Sequence, residues 1–138
     1  MKRILVVDGL GGGIGTELIS RLRDVRETPG VELIALATNA VALERMLKAG
    51  ATRGAAGENA IRVVSREADI IVGPIGVIIA DSMMGEITAA MASAVLSSPA
   101  ERILLPLQNE HITFAGFEGI PLSRMIEKAA EIVHERLR

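Results

Sequence analysis

The chain has 138 residues with a formal net charge of −2 at pH 7, no cysteine and only 1% aromatic residues. A chain of this length forms one domain, residues 1–138, with no room for a second catalytic domain. The absence of cysteine excludes disulfides, thiolate catalysis and cysteine-based zinc sites, while scattered arginines and scarce aromatic rings provide no surface for binding nucleic acid.

Apolar runs alternate with helical periodicities along the whole chain, which is typical of α/β proteins. In the first half, we predict strands over residues 3–7 and 31–37, a helix from near residue 14 to before residue 29, and a second helix through Leu43 and Leu47 that Gly50 terminates. Only a brief third strand fits within residues 51–57. The next helix spans residues 58–68.

The second half continues the alternation, with strands predicted over residues 69–73 and 102–105. An alanine-rich helix begins near Ser82 and ends near Ser97, residues 112–115 are extended, and Pro121 opens the last helix. The elements predict an α/β fold: a single-domain, doubly wound, mostly parallel five-stranded sheet with helices on both faces.

A glycine-rich loop follows the first strand. The apolar run breaks at Asp8 and leads into Gly9, Gly11, Gly12, Gly13, Ile14 and Gly15. Glycines let a ligand approach the backbone closely, and amides at a helix N-terminus attract anions. We predict that the residues from Gly9 to Gly15 bind the phosphate of a nucleotide. A carboxylate is unfavourable beside a phosphate, so we expect Asp8 to turn away and accept loop amides; a cation there, or a ligand without a phosphate, are the alternatives.

The glycine spacing limits which known type of phosphate-binding loop this can be. The loop lacks the third glycine of the dinucleotide fingerprint G-x-G-x-x-G, because Ile14 and Thr16 stand at the required positions. It also lacks the lysine of a P-loop. The pattern G-x-x-x-G-I-G from Gly9 to Gly15 resembles the loop of short-chain dehydrogenases, although Asp8 replaces their usual threonine. That resemblance implies NAD or NADP as cofactor.

Further segments give a second resemblance, which covers most of the chain. They are residues 8–15, 38–40, 46–51, 57–60, 69–76, 82–83 and 85–86. On these segments the chain resembles a small bacterial family of Rossmann-like proteins known as a domain of unknown function. The resemblance implies a Rossmann-like fold and a nucleotide-like pocket, and no reaction. The family usually has glutamine in place of Leu10 and asparagine in place of Asp81.

Two further loops are predicted to face the same crevice. Thr38 and Asn39 follow the second strand, where dinucleotide-binding proteins read the adenosine ribose, but neither side chain is acidic or basic, so NAD and NADP are not distinguished. Asn39 serves equally well as the N-cap of the next helix. Gly73, Pro74 and Gly76 are expected beside the nicotinamide, or simply end their strand.

A catalytic group is harder to identify. Short-chain dehydrogenases transfer the proton with a Tyr-x-x-x-Lys pair, and this chain has no tyrosine. His111 is a candidate acid–base group, although a single histidine in a loop is more often structural. With two histidines and no cysteine, we predict no metal site. Glu58 and Asp81 are other candidate acids, but Glu58 suits the first turn of a helix, and Asp81 or Ser82 suits an N-cap.

The alanine-rich helix carries more apolar surface than one sheet face covers, because Met83, Met84 and Met91 accompany its alanines. We therefore predict a homodimer through this helix. The longest apolar stretch is far shorter than the roughly twenty residues that span a bilayer, so we predict a cytoplasmic protein without membrane contact.

Two functions remain open from the sequence. One is a stand-alone nucleotide or dinucleotide (NAD(P)-like) binding protein, acting as a sensor or accessory subunit. The alternative is a minimal NAD(P)-dependent oxidoreductase or nucleotide-handling transferase, with acids such as Asp8, Asp81 and Glu58 completed across a dimer. We prefer the first, and whether the protein is an enzyme stays undecided.

Overall fold

Strands and α-helices alternate along the chain in a computed structural model that describes residues 2–108 and 112–138. The strands are β1 (Lys2–Asp8), β2 (Val31–Ala37), β3 (Arg53–Ala56), β4 (Ile70–Pro74) and β5 (Glu101–Leu105). The helices are α1 (Gly13–Leu22), α2 (Ala40–Ala49), α3 (Glu58–Ser65), α4 (Ala89–Ser97) and α5 (Leu122–Arg136).

The strands form one sheet in the order β3-β2-β1-β4-β5, with every neighbouring pair parallel. The chain first builds outward from β1 to β3 and then returns to place β4 on the other side of β1. The strand order therefore reverses between β1 and β4, where doubly wound proteins bind ligands. The predicted α/β fold with a doubly wound, parallel five-stranded sheet is confirmed.

Both faces of the sheet are buried. Along β1, Ile4 and Val6 pack into a core with residues of α1, α2 and α5, while Leu5 and Val7 pack into a second core with residues of α3 and α4. This alternation follows from the two-residue period of a strand. Burial on both faces explains why the sequence of β1 is a continuous apolar run.

The main correction to the predicted elements concerns α4, which begins at Ala89 rather than near Ser82. Asp81, Met83, Met84 and Gly85 have φ values of 66°, 57°, 57° and 87°, and a right-handed helix cannot include them. The predicted caps are also wrong. The hydroxyl of Thr88 accepts a hydrogen bond from the amide of Met91 at 3.1 Å and caps the helix instead of Asp81 or Ser82.

Smaller differences occur elsewhere. The first helical segment changes after Leu22 into a 3₁₀ turn, Arg23–Glu27, which keeps Val25 buried. The predicted extended segment at residues 112–115 contains no strand, because it pairs with no neighbour in the sheet. Within the described ranges, no helix is both long enough and apolar enough to cross a lipid bilayer.

Candidate functional site

A cleft of about 350 Å³ lies at the carboxyl ends of β1 and β4, where the strand order reverses. One wall is the β1–α1 loop, and the other comes from the end of β4 and the segment that follows it. The described lining residues are Asp8, Gly9, Leu10, Gly11, Gly12, Gly13, Ile14, Pro74, Ile75, Gly76, Ser82, Met83 and Leu107. Of the residues predicted for the site, the cleft brings together Gly9, Gly11, Gly12, Gly13, Ile14, Pro74 and Gly76.

Several loop amides already have acceptors within the protein. The amide of Gly12 donates to the carbonyl of Gly9 at 2.9 Å, and that of Leu10 donates to the Glu86 carboxylate at 2.9 Å. Within the described part of the chain, the amides of Gly11, Gly13 and Ile14 have no acceptor. Gly13 and Ile14 open helix α1, whose first-turn amides have no helical acceptor. These three donors are available to an anion.

Asp8 is buried at the base of the loop, with only 4% of its surface exposed. Its two carboxylate oxygens accept separate amides, Oδ1 from Gly9 at 2.8 Å and Oδ2 from Gly15 at 2.7 Å. Burial raises the pKa of Asp8, and the two amide hydrogen bonds oppose that rise. The predicted hydrogen bonds from loop amides to Asp8 are present, although Asp8 still lines the cleft.

The predicted glycines have different environments. A Cβ on Gly15 would lie 2.9 Å from Cβ of Asp8 and 2.8 Å from the Met46 methyl, so Gly15 allows α1 to pack closely on β1 and α2. A Cβ on Gly73 would overlap the carbonyl oxygen of Val7 within the sheet. Gly15 and Gly73 do not line the cleft. By contrast, a Cβ on Gly13 would meet no atom within 4 Å.

Thr38 and Asn39 lie outside the cleft, at the end of β2. Asn39 caps α2, because its Oδ1 accepts the amide of Ala42 at 2.9 Å. Its Nδ2 donates to the carbonyl of Leu10 and to Oε1 of Glu86, both at 2.9 Å. The hydroxyl of Thr38 also hydrogen-bonds to Glu86 Oε1. Asn39 therefore braces the loop directly, and Thr38 braces it through Glu86.

Glu86 is a site residue that the sequence did not predict, because the predicted α4 begins near Ser82 and includes this residue. The carboxylate instead crosses to the β1–α1 loop and the end of β2. The hydrogen bond from Thr38 is the main reason that the pKa of Glu86 is lowered, with further contributions from Leu10 and Asn39. No local signal identifies this role, since the contacts connect residues 47 and 48 positions apart.

Arg45 is a second residue near the site that the sequence did not predict. It lies on α2, and its guanidinium donates to the carbonyl of Gly11. The position of Arg45 on α2 could have indicated this contact. Arg45 follows the N-cap residue Asn39 by six residues and therefore lies within two turns of the helix end that contacts the β1–α1 loop. Arg45 places a positive charge beside the loop whose amides are available to an anion.

The remaining candidate acids have structural partners or lie elsewhere. Glu58 accepts a hydrogen bond from the Thr88 hydroxyl at 2.7 Å, and neither Glu58 nor Asp81 lines the cleft. His111 lies outside the described residues. In residues 2–108 and 112–138, no three histidine or acidic side chains come together as metal ligands would.

The chain belongs to the family described as a domain of unknown function, DUF3842, whose model matches residues 3–138. No curated protein sequence matches it. Among solved structures, the chain is similar to a dodecameric FMN-dependent Ubix-like decarboxylase from Escherichia coli O157:H7. The two share 14% identity and a TM-score of 0.52, over 97% of this chain and 93% of the other. At this identity, the similarity establishes a shared α/β fold.

Proposed function

We propose that this DUF3842 protein binds a phosphate-bearing nucleotide, or a cofactor derived from one, with the phosphate on the β1–α1 loop. The observation that carries the proposal is the set of amides of Gly11, Gly13 and Ile14, which lie at the cleft without acceptors among the described residues. The dipole of α1 and the guanidinium of Arg45 add favourable potential for an anion.

The rest of the cleft suits the organic part of such a ligand. Ile14, Ile75, Met83 and Leu107 line it, as is usual for cofactor sites with few polar groups. NAD and NADP, which the short-chain dehydrogenase pattern implies, are ligands of this class. FMN, on which the structurally similar decarboxylase depends, is another.

We propose a binding role, as a sensor or accessory subunit, in preference to a self-sufficient enzyme. Among the described lining residues, Asp8 is the one titratable side chain, and both of its oxygens accept loop amides. A minimal reductase or transferase would need a group that moves a proton. The described walls of the cleft do not supply one, so it would have to come from a second subunit.

The binding proposal is tested by Gly13→Asp, with Gly13→Asn as an isosteric, neutral control. Position 13 has space for either side chain, and an acidic residue in the first turn is compatible with the helix dipole. A carboxylate about 4 Å from a bound phosphate costs about 1–4 kcal/mol, so we expect Gly13→Asp to weaken binding by about tenfold or more. Gly13→Asn should bind more tightly than Gly13→Asp.

The measurement is calorimetric titration with FMN, AMP, NAD and NADP, supported by thermal melting. A nucleotide at about 100 times its dissociation constant should stabilise the protein by about 2.7 kcal/mol. If none of these ligands binds the unmodified chain, or if Gly13→Asp and Gly13→Asn bind equally well, the proposal is wrong.

We further propose that two copies associate through the outer face of α4. This face combines small side chains, Ala89, Ala90 and Ser93, with Leu96, which is 50% exposed. Small residues allow close helix approach, and burial of Leu96 in a dimer would remove apolar surface from water.

A further inference from the structure

Glu86 covers the carboxyl end of β2, which is open to the ligand in dinucleotide-binding proteins. In those proteins, the carboxyl end of β2 lies under the adenosine ribose, and an acidic side chain there binds the ribose hydroxyls. Here β2 ends at Ala37 and is followed by Thr38 and Asn39, which carry no acid. The carboxylate at this position comes from Glu86, in the connection between β4 and α4.

The carboxylate of Glu86 accepts hydrogen bonds from the donors around the end of β2. Its Oε1 accepts the amide of Leu10 at 2.9 Å and Nδ2 of Asn39 at 2.9 Å, together with the hydroxyl of Thr38. Three donors from two different loops thus converge on one oxygen. The donors at the end of β2 are satisfied internally before any ligand arrives.

Met83 lines the cleft and, with Thr38, covers Gly9. A Cβ on Gly9 would lie 2.7 Å from both Sδ of Met83 and Oγ1 of Thr38. The thioether and the threonine hydroxyl therefore both lie close to Gly9, where we expect the pyrophosphate of a dinucleotide to continue toward its adenosine. The cleft accordingly extends toward Pro74, Gly76 and Leu107, and Thr38 and Asn39 do not line it.

We propose that Glu86 makes the site selective for mononucleotides by occupying the adenosine position of a dinucleotide. This inference rests on the proposed function, because it assumes that a nucleotide phosphate binds the β1–α1 loop. The volume of about 350 Å³ lies near the lower limit for ligand pockets, as expected of a site for one nucleotide unit.

The connection that carries Glu86 is held in place by its contacts. Asp81, Met83 and Met84 adopt left-handed φ values of 66°, 57° and 57°, which are unfavourable for residues with a Cβ. Such a conformation persists where surrounding contacts impose it. Removal of the Glu86 carboxylate would break its hydrogen bonds to Leu10, Thr38 and Asn39 and should therefore free the donors at the end of β2.

The test compares Glu86→Ala with the control Glu86→Gln, which keeps the size of the side chain and an oxygen acceptor. In each of two ligand pairs, the members differ by the adenosine half of the dinucleotide. The pairs are FMN with FAD and nicotinamide mononucleotide with NAD. Calorimetry measures the dissociation constants. We expect the unmodified protein to bind the mononucleotide of a pair about tenfold or more tightly than the dinucleotide. Glu86→Ala should reduce this ratio by about tenfold, while Glu86→Gln should largely preserve it.

The outcomes separate this inference from the proposed function. Equal binding of FMN and FAD by the unmodified protein, or an unchanged ratio in a folded Glu86→Ala variant, overturns mononucleotide selectivity and leaves the phosphate site in place. If Glu86→Ala does not fold, the ratio of the dinucleotide and mononucleotide dissociation constants in the unmodified protein decides whether the site is selective. If no nucleotide binds the unmodified protein, both proposals are overturned.

Discussion

Individual glycines in the β1–α1 loop, at the start of α1 and in β4 have different physical reasons for lacking a side chain. Gly12 has a φ of 72°, which favours glycine, and a Cβ there would lie 2.9 Å from Cβ of Ala42. Gly15 and Gly73 are required by close packing of protein on protein. Gly13 has open space around it, so a ligand that approaches its amide is the proposed reason for glycine there.

The different environments predict opposite effects of alanine substitution. Gly73→Ala should destabilise the protein by about 1–3 kcal/mol or more, because the added methyl group overlaps the Val7 carbonyl in the adjacent strand. Gly13→Ala should be neutral or stabilising by up to about 1 kcal/mol, because alanine favours the helix. Urea denaturation measures both changes. Similar destabilisation by the two substitutions would contradict this assignment.

The hydrogen bonds of Asp8 to loop amides were predicted, but the identity of one donor was not. The unfavourable pairing of a carboxylate with a phosphate was sufficient to predict that Asp8 bonds loop amides. The sequence could not show that Gly15, seven residues away, supplies one of these amides. That contact depends on the path of the loop, which brings the start of α1 back over the end of β1.

At the level of elements, α4 begins where a side chain caps it. The Thr88 hydroxyl accepts the amide of Met91 and also donates to Glu58, so it joins the starts of α3 and α4. Thr88→Ala should destabilise the protein by about 1 kcal/mol, within the range of about 0.5–2 kcal/mol measured for lost caps. Thr88→Ser keeps the hydroxyl and should recover most of this stability in urea denaturation. A neutral Thr88→Ala variant would show that the cap does not stabilise the helix.

The connection from β4 to α4 explains why the helix boundary was predicted wrongly. The alanine-rich composition and the cap-forming residues Asp81 and Ser82 predict a helix that begins near Ser82. In the folded protein, however, Glu86 bonds to Leu10, Thr38 and Asn39. Backbone hydrogen bonds between Asp81 and Ile87 and between Ile87 and Ser82 close the connection into a left-handed turn, and the bonds of Glu86 attach this turn to the neighbouring loops.

At the level of the whole molecule, α3 and α4 cover one face of the sheet, and α1, α2 and α5 cover the other. The proposed dimer places the outer face of α4 against a second copy. The substitution Leu96→Glu would put a charge into that contact, and we expect it to shift the protein toward the monomer. Leu122→Glu on α5, at a position that is 43% exposed, is the matched control and should leave association unchanged.

Sedimentation velocity over a range of concentrations provides the readout for the dimer. Burial of an unpaired charge in an interface costs several kcal/mol, so Leu96→Glu should weaken association by well over tenfold. A monomeric unmodified protein, or equal effects of the Leu96 and Leu122 substitutions, would remove α4 from the interface. Nucleotide titrations of the same variants then show whether binding depends on the second copy.

The sequence by itself determined the order of strands and helices and the end of β1 at Asp8, and it offered Asn39 as one possible cap. Each of these depends on periodicity or on contacts between near neighbours in the chain, which are visible in a short window. The tertiary structure decided which loop amides have acceptors in the protein, that Gly15 and Gly73 serve packing, and that Glu86 accepts hydrogen bonds from Thr38 and Asn39. The hydrogen bonds and close approaches behind these features join residues up to 76 positions apart, and only the folded sheet brings such residues together.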